Sequence, residues 1–112
     1  MKITQRNEGD VLVIALSGRL TIGQGDSDVG EAIRASVAAG ATKVLLDMED
    51  IPVVDSSGVG ELVAAYTSAS NRGSTIKLLK LQPRVGDVLK STQLIGVFEI
   101  FDDEAEALAS FE

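Results

Sequence analysis

An α/β fold built on a mixed sheet of about five strands is predicted by three observations. Short apolar runs alternate with segments of helical periodicity, which implies parallel strands joined by helical crossovers. The first two strand-like runs are joined by turn residues, which adds one antiparallel hairpin strand at the start. The chain has 112 residues, 45% hydrophobic and 24% charged, enough to fill one core without a disulfide or metal staple. One domain over residues 1–112 accounts for the whole pattern, because no linker, low-complexity stretch or internal repeat interrupts it.

The elements follow in order. Lys2 to Arg6 reads as a strand, Asn7-Glu8-Gly9-Asp10 as a turn, and Val11 to Leu16 as a second strand. That second run lacks polar alternation, as expected of a strand covered on both faces. Ser17-Gly18-Arg19-Leu20 leads into a loop with Gly23, Gly25 and Asp26. Val29, Ile33 and Val37 then recur every four residues before Gly40, the pattern of an amphipathic helix with a glycine stop. Lys43 to Asp47 is a buried-strand pattern. Val59, Leu62, Val63 and Tyr66 are spaced i, i+3, i+4, i+7 and predict a helix that closes at Asn71-Arg72-Gly73. Thr75 to Leu81 is strand-like, and Pro83 suits the first turn of a helix using Val85, Val88 and Leu89. Val97 to Phe101 predicts a short final strand. Asp102-Asp103 start a last helix carrying Ala105, Leu108 and Phe111.

Composition excludes several function classes. No cysteine means no disulfide, thiol nucleophile or zinc finger, and no histidine means no Ser-His-Asp triad, imidazole metal ligand or phosphohistidine relay. A net charge of −7 and only four aromatic residues disfavour direct nucleic-acid binding. The longest uninterrupted apolar run, Val11 to Leu16, is far too short for membrane insertion, and the N-terminus does not read as a signal peptide. A cytoplasmic protein without cofactor or metal is the expectation. Charge is uneven: residues 99–112 hold six acids and no base, whereas residues 72–90 hold Arg72, Lys77, Lys80, Arg84 and Lys90 against Asp87 alone. This predicts a solvated acidic helix beside a basic face, or a docking surface made of two opposite patches.

The stretch that can carry chemistry is Asp55-Ser56-Ser57-Gly58-Val59-Gly60. Two hydroxyls follow a carboxylate at a helix start, and two glycines let other backbone approach the first turn. Capping and tight packing alone explain such residues, since Asp and Ser are common N-caps. It is no dinucleotide fingerprint, because Val63 stands where the third glycine belongs, and no nucleophile elbow, because there is no histidine base. A serine here can instead accept a phosphoryl group, which would meet the free N–H groups and positive dipole end of the helix. The added charge of about −1.5 to −2 would switch an interface without moving the fold.

Through these residues the sequence resembles the STAS domain family, that of anti-sigma factor antagonists and their relatives. Gly18-Arg19-Leu20 resembles the family's Gly-x-Leu segment, Val44 to Asp47 with Ile51 and Val54 its third strand and approach loop, and Asp55 to Gly60 its Asp-Ser-Ser-Gly-Leu-Gly signature with Val59 for Leu. The likeness continues through Gln93–Phe101. It departs at Thr21, where family members often carry Asp.

The resemblance implies a STAS-like mixed five-stranded sheet with about four helices packed mainly on one side. It implies phosphorylation of Ser56 by an anti-sigma factor serine/threonine kinase, reversal by a serine phosphatase, and capture of the anti-sigma factor by the unphosphorylated form, which releases the sigma factor. The protein would act by binding and not as an enzyme. Thr21, Asp55, Ser57, Gly58, Gly60 and Glu61 are the expected partner-binding residues. Glu61 and Ala64 are expected to face outward, with Thr21 closest to Ser56 and the acidic last helix outside the surface. The alternative is a non-switching STAS module, a stressosome-like scaffold or an accessory subunit of a transport complex.

Overall fold

In the computed structural model, which describes residues 1–112, the alternation becomes β1 (Lys2–Glu8), β2 (Val11–Ser17), α1 (Asp26–Ala38), β3 (Lys43–Asp50), α2 (Ser56–Asn71), β4 (Thr75–Leu79), α3 (Pro83–Ser91), β5 (Ile100–Phe101) and α4 (Glu104–Ala109). The five strands form one sheet in the order β1-β2-β3-β4-β5. β1 pairs with β2 antiparallel, and every later pair is parallel. Because successive parallel strands advance in one direction, crossovers of one hand place α1, α2 and α3 on the same face.

Strand residues therefore divide with a period of two. Ile14 and Leu16 of β2, Val44, Leu46 and Met48 of β3, and Ile76 and Leu78 of β4 join Val29, Ile33, Val59, Leu62, Val85 and Leu89 of the helices in the main core. Val11, Val13, Leu45 and Leu79 point to the opposite face, where Ala107 of α4 covers them with Phe101, Leu108 and Phe111. β2 is thus buried on both faces, which is why its sequence shows no polar alternation.

The element ends correct the sequence reading. The hairpin turn is only Gly9-Asp10, with Gly9 at φ 63, so β1 runs on through Glu8. β3 continues past Asp47 to Asp50. β4 stops at Leu79 because Lys80 is left-handed at φ 58. β5 is two residues long: Gln93 at φ 62 turns the chain off α3, and Leu94 and Ile95 donate to the Leu89 carbonyl instead of a strand. Phe98, expected in that strand, is instead a core residue packed edge-on against Tyr66, ring centroids 5.2 Å apart. In α4 the Asp103 side chain accepts from the Glu106 N–H and sets the helix phase, so Ala107 is buried, Ala105 is exposed, and Phe111 lies beyond the helix.

The expected basic face does not exist as such. Lys77 points to the outer face of the sheet and is buried there, and Lys80 pairs with Glu49 at 3.3 Å. Of the basic residues in that segment, only Arg72, Arg84 and Lys90 are exposed.

Candidate functional site

Asp55 organises the site. It follows the β3–α2 connection in extended conformation (φ −118, ψ −175) and is the N-cap of α2, its Oδ1 accepting from the Gly58 N–H at 2.9 Å. Its second oxygen, Oδ2, accepts from the Ile22 N–H at 3.0 Å. One carboxylate thereby ties the start of α2 to the β2–α1 loop. Its pKa is held below the usual carboxylate value, first by the Ile22 N–H and then by the Gly58 N–H, both of which favour the charged form.

The loop is fixed to the motif by backbone as well. Leu20 donates to the Val53 carbonyl at 3.1 Å and accepts from the Asp55 N–H at 3.3 Å, and Leu20 and Val54 form a parallel bridge. Thr21 and Gln24 exchange two N–H···O bonds of 2.9 Å, closing a tight turn around Ile22 and Gly23, the latter at φ 71. The expected neighbourhood of loop and motif is present. Its bonds run through Leu20 and Ile22, however, while half-buried Thr21 bonds within the loop.

The two serines, alike in local chemistry and told apart in the sequence only by the resemblance, differ in the structure. Ser57 Oγ donates to Asp26 Oδ2 at 3.1 Å and ties α2 to the first residue of α1. Ser56, the first helical residue, is exposed, and the bonds around it are made by Asp55 and Ser57. The first turn of α2 carries no acidic side chain of its own. A phosphoryl group on Ser56 would therefore stand in solvent at a helix N-terminus, the local setting an anion prefers.

The two glycines also differ. A Cβ on Gly58 would lie 2.1 Å from the Leu20 carbonyl oxygen, so the absence of a side chain there admits the loop backbone. Gly60 is exposed with nothing within 4 Å of a would-be Cβ, so it admits no neighbour. Glu61 is another correction. It turns toward α1, where Oε1 lies 3.1 Å from the Arg34 guanidinium and above Gly30, whose missing Cβ makes the space. Without hydrogen-bond alignment to Arg34, that oxygen remains buried and unsatisfied. Ala64, expected beside it, is exposed. α4 lies against the other face of the sheet, away from the helices that carry the site.

Leu20, Ile22 and Asp26 were not among the expected partner-binding residues, although Leu20 belongs to the Gly-x-Leu segment and Asp26 to the loop that follows it. Ile22 had a signal, a lone isoleucine in a glycine-rich turn. Asp26 had a weaker one, an acid at a helix start, whereas the Leu20 contact is set by tertiary packing alone.

The tie to Ile22 predicts a pH dependence. A carboxylate whose folded pKa is depressed stabilises the fold above its unfolded pKa, and that contribution is lost as pH falls through the folded value. The Tm advantage of the wild type over Asp55→Asn is therefore expected to be full at pH 7 and to close below about pH 4. Thermal melts of both proteins from pH 7 to pH 3 check this, and a constant difference across that range refutes the assignment.

Comparison with known proteins agrees with this geometry. The family model for the STAS domain matches residues 2–107. An anti-sigma F factor antagonist of Paenibacillus polymyxa is 24% identical over 112 residues, all of this chain and 96% of that protein. An anti-sigma factor antagonist of Mycobacterium paratuberculosis superposes with a TM-score of 0.85 at 19% identity, covering 97% of this chain and 92% of that one. The Bacillus protein SpoIIAA has been solved in both phosphorylation states. Its unphosphorylated form superposes at 0.81 with 22% identity, covering 98% of this chain and 96% of that one, and its phosphorylated form at 0.74 with 22% identity, covering 99% and 100%. With the capped Asp-Ser-Ser-Gly turn seated at the carboxyl ends of β2 and β3, and a family match running over nearly its whole length, this chain belongs to the STAS domain family.

Proposed function

We propose that the protein is an anti-sigma factor antagonist switched by phosphorylation of Ser56. The observation that carries this reading is the inequality of the two serines: Ser57 is engaged with Asp26, while Ser56 is exposed on a turn held rigid by Asp55. The names of the relatives, which include an anti-sigma F factor antagonist, support the choice of partner. In this reading the unphosphorylated chain captures an anti-sigma factor and frees a sigma factor. The anti-sigma factor is itself a serine/threonine kinase: Ser56 Oγ takes the γ-phosphoryl group of ATP, ADP leaves, and the hydroxyl proton passes to a base of the kinase. A serine phosphatase hydrolyses the phosphoserine and restores the binding form. The protein works in the cytoplasm and catalyses nothing itself; no helix is long and apolar enough to cross a membrane.

Phosphorylation need not move the fold. It places a charge of about −1.5 to −2 on an exposed residue beside Asp55, and a charge forced into a protein contact without a partner costs several kcal/mol. Contact residues under this reading are Thr21, Asp55, Ser57 and Gly60; Gly58, expected among them, is buried beneath the Leu20 backbone and serves the turn instead, and Glu61 acts through Arg34 more than by direct approach.

The expected result separates signalling from stability. Because Asp55 is the cap, Ser56→Ala costs no more than about 0.5 kcal/mol, the range of ordinary surface substitutions. It retains partner capture, whereas Ser56→Asp weakens capture by about tenfold or more. Pull-downs with the three proteins, read by mass spectrometry, identify the partner. Phosphopeptide mapping after incubation with that partner and ATP locates the phosphate. Label on Ser57, label retained by Ser56→Ala, or normal capture by Ser56→Asp refutes the proposal.

A further inference from the structure

Two large apolar side chains are exposed, Ile22 at 75% and Met1 at 37%. Both belong to one place. Ile22 is at the tip of the β2–α1 loop, and the Met1 side chain lies against Gly25 at the end of that loop, its terminal methyl 2.6 Å from where a Cβ would stand. Every other isoleucine is buried or half-buried. An isoleucine left three-quarters open keeps its apolar surface in water and gains no packing.

Loop tips are often mobile, and an apolar residue on a mobile tip would mean little. This tip is tied down. The Ile22 N–H donates to Asp55 Oδ2 at 3.0 Å, the residues around it close on each other through the two Thr21–Gln24 bonds, and Leu20 is bonded to Val53 and Asp55. The backbone that carries this unpacked side chain is thus held in place. The group that holds it is the same carboxylate that caps the helix beginning with Ser56.

We infer that Ile22 is the apolar anchor of the partner surface, seating in an apolar pocket of the anti-sigma factor kinase next to the group that phosphorylates Ser56. This rests on the function proposed above and deepens it. Affinity in such contacts comes from a few large side chains that enter desolvated pockets, and rigid presentation lowers the ordering cost of seating them. The anchor also supplies a chemical reason for release. Asp55 holds Ile22 and Ser56 on one unit, so Ile22 cannot seat without drawing Ser56 toward the same dry contact. A hydroxyl tolerates that; a phosphate must shed its hydration and opposes it. Partner choice follows too, because a kinase without an apolar pocket at that position gains nothing from Ile22.

The test uses the kinase captured by the wild-type chain, purified, with ADP for binding and ATP for turnover. Ile22→Ala is expected to weaken binding by about 30-fold, and Ile22→Leu to restore it to within about threefold of wild type. As a phosphorylation substrate, Ile22→Ala is expected to raise KM with kcat unchanged, the mark of lost binding and not of lost chemistry. The Tm of both variants is expected to equal that of wild type. Wild type that captures no kinase overturns both the function and the anchor. Capture by wild type with Ile22→Ala within about threefold of it overturns the anchor alone and leaves the function standing. A lowered Tm for Ile22→Ala assigns the residue to the fold and also overturns the anchor.

Discussion

Gly58→Ala is expected to destabilise the protein by about 3 kcal/mol, and Gly60→Ala, two residues on in the same helix, to leave it unchanged or more stable. Helix propensity alone favours alanine at both sites by about 1 kcal/mol. At Gly60 nothing opposes that preference, since no atom lies within 4 Å of the new methyl group. At Gly58 the methyl group would stand 2.1 Å from the Leu20 carbonyl oxygen and 2.9 Å from Leu20 Cγ. Leu20 cannot retreat cheaply. Its side chain is fully buried in the main core, its carbonyl accepts from Asp55, and its N–H donates to Val53. Overpacking of a well-filled site costs typically about 1–3 kcal/mol and occasionally more, so sterics outweigh propensity. A Tm about 10 °C or more below wild type is the expected reading for Gly58→Ala. Displacement of Leu20 would also loosen Ile22 and weaken partner capture. Equal melting temperatures for the two variants would show that the loop yields freely and that the close approach has no energetic weight.

That contrast marks where the sequence was legible. The hexapeptide, its position at a helix start, and the α3 start at Pro83 are local features: cap, periodicity and fixed φ act within a few residues, so they can be read from a few residues. Strand alternation followed for the same reason. What could not be read depends on distant chain. Gly58 and Gly60 look alike until Leu20 is placed beside one of them. Ser56 and Ser57 look alike in local chemistry, separated only by the family motif, until Ser57 bonds to Asp26. Glu61 lies on the face of α2 that meets α1 only because Gly30 leaves a gap there. β5 is shorter than its apolar run because Phe98 is drawn into the core against Tyr66, a contact between residues 32 positions apart in the chain.

Lys77 is the other place where distant packing overrides the local pattern, and its variants carry the second large effect. A lysine in the middle of Ile76–Leu79 reads as the solvent-facing position of a strand. The residue is instead only 8% exposed. The Nζ donates to the Ser110 carbonyl at 3.0 Å and to Ser110 Oγ at 2.9 Å, pairs with Glu99 at 2.8 Å, and stands 4.6 Å from the Phe111 ring centroid. The ammonium group therefore fastens the end of the chain over the outer sheet face, with its aliphatic stem filling the space beneath. Lys77→Ala removes stem, bonds and cation–π contact together and leaves a gap between Phe101 and Phe111; the expected loss is about 3 kcal/mol, within the range for emptying a long buried side chain. Lys77→Met keeps the stem and replaces the ammonium with a thioether that packs favourably against aromatic rings. Glu99 is mostly exposed, so it remains solvated when its partner is gone, and Lys77→Met is expected to cost less than about 1 kcal/mol. Urea denaturation of the two variants measures the difference, and hydrogen exchange should show α4 opening locally in Lys77→Ala before the rest of the sheet. If the two variants lose equal stability, the charge and not the stem holds the helix, and the acidic segment is anchored by electrostatics after all.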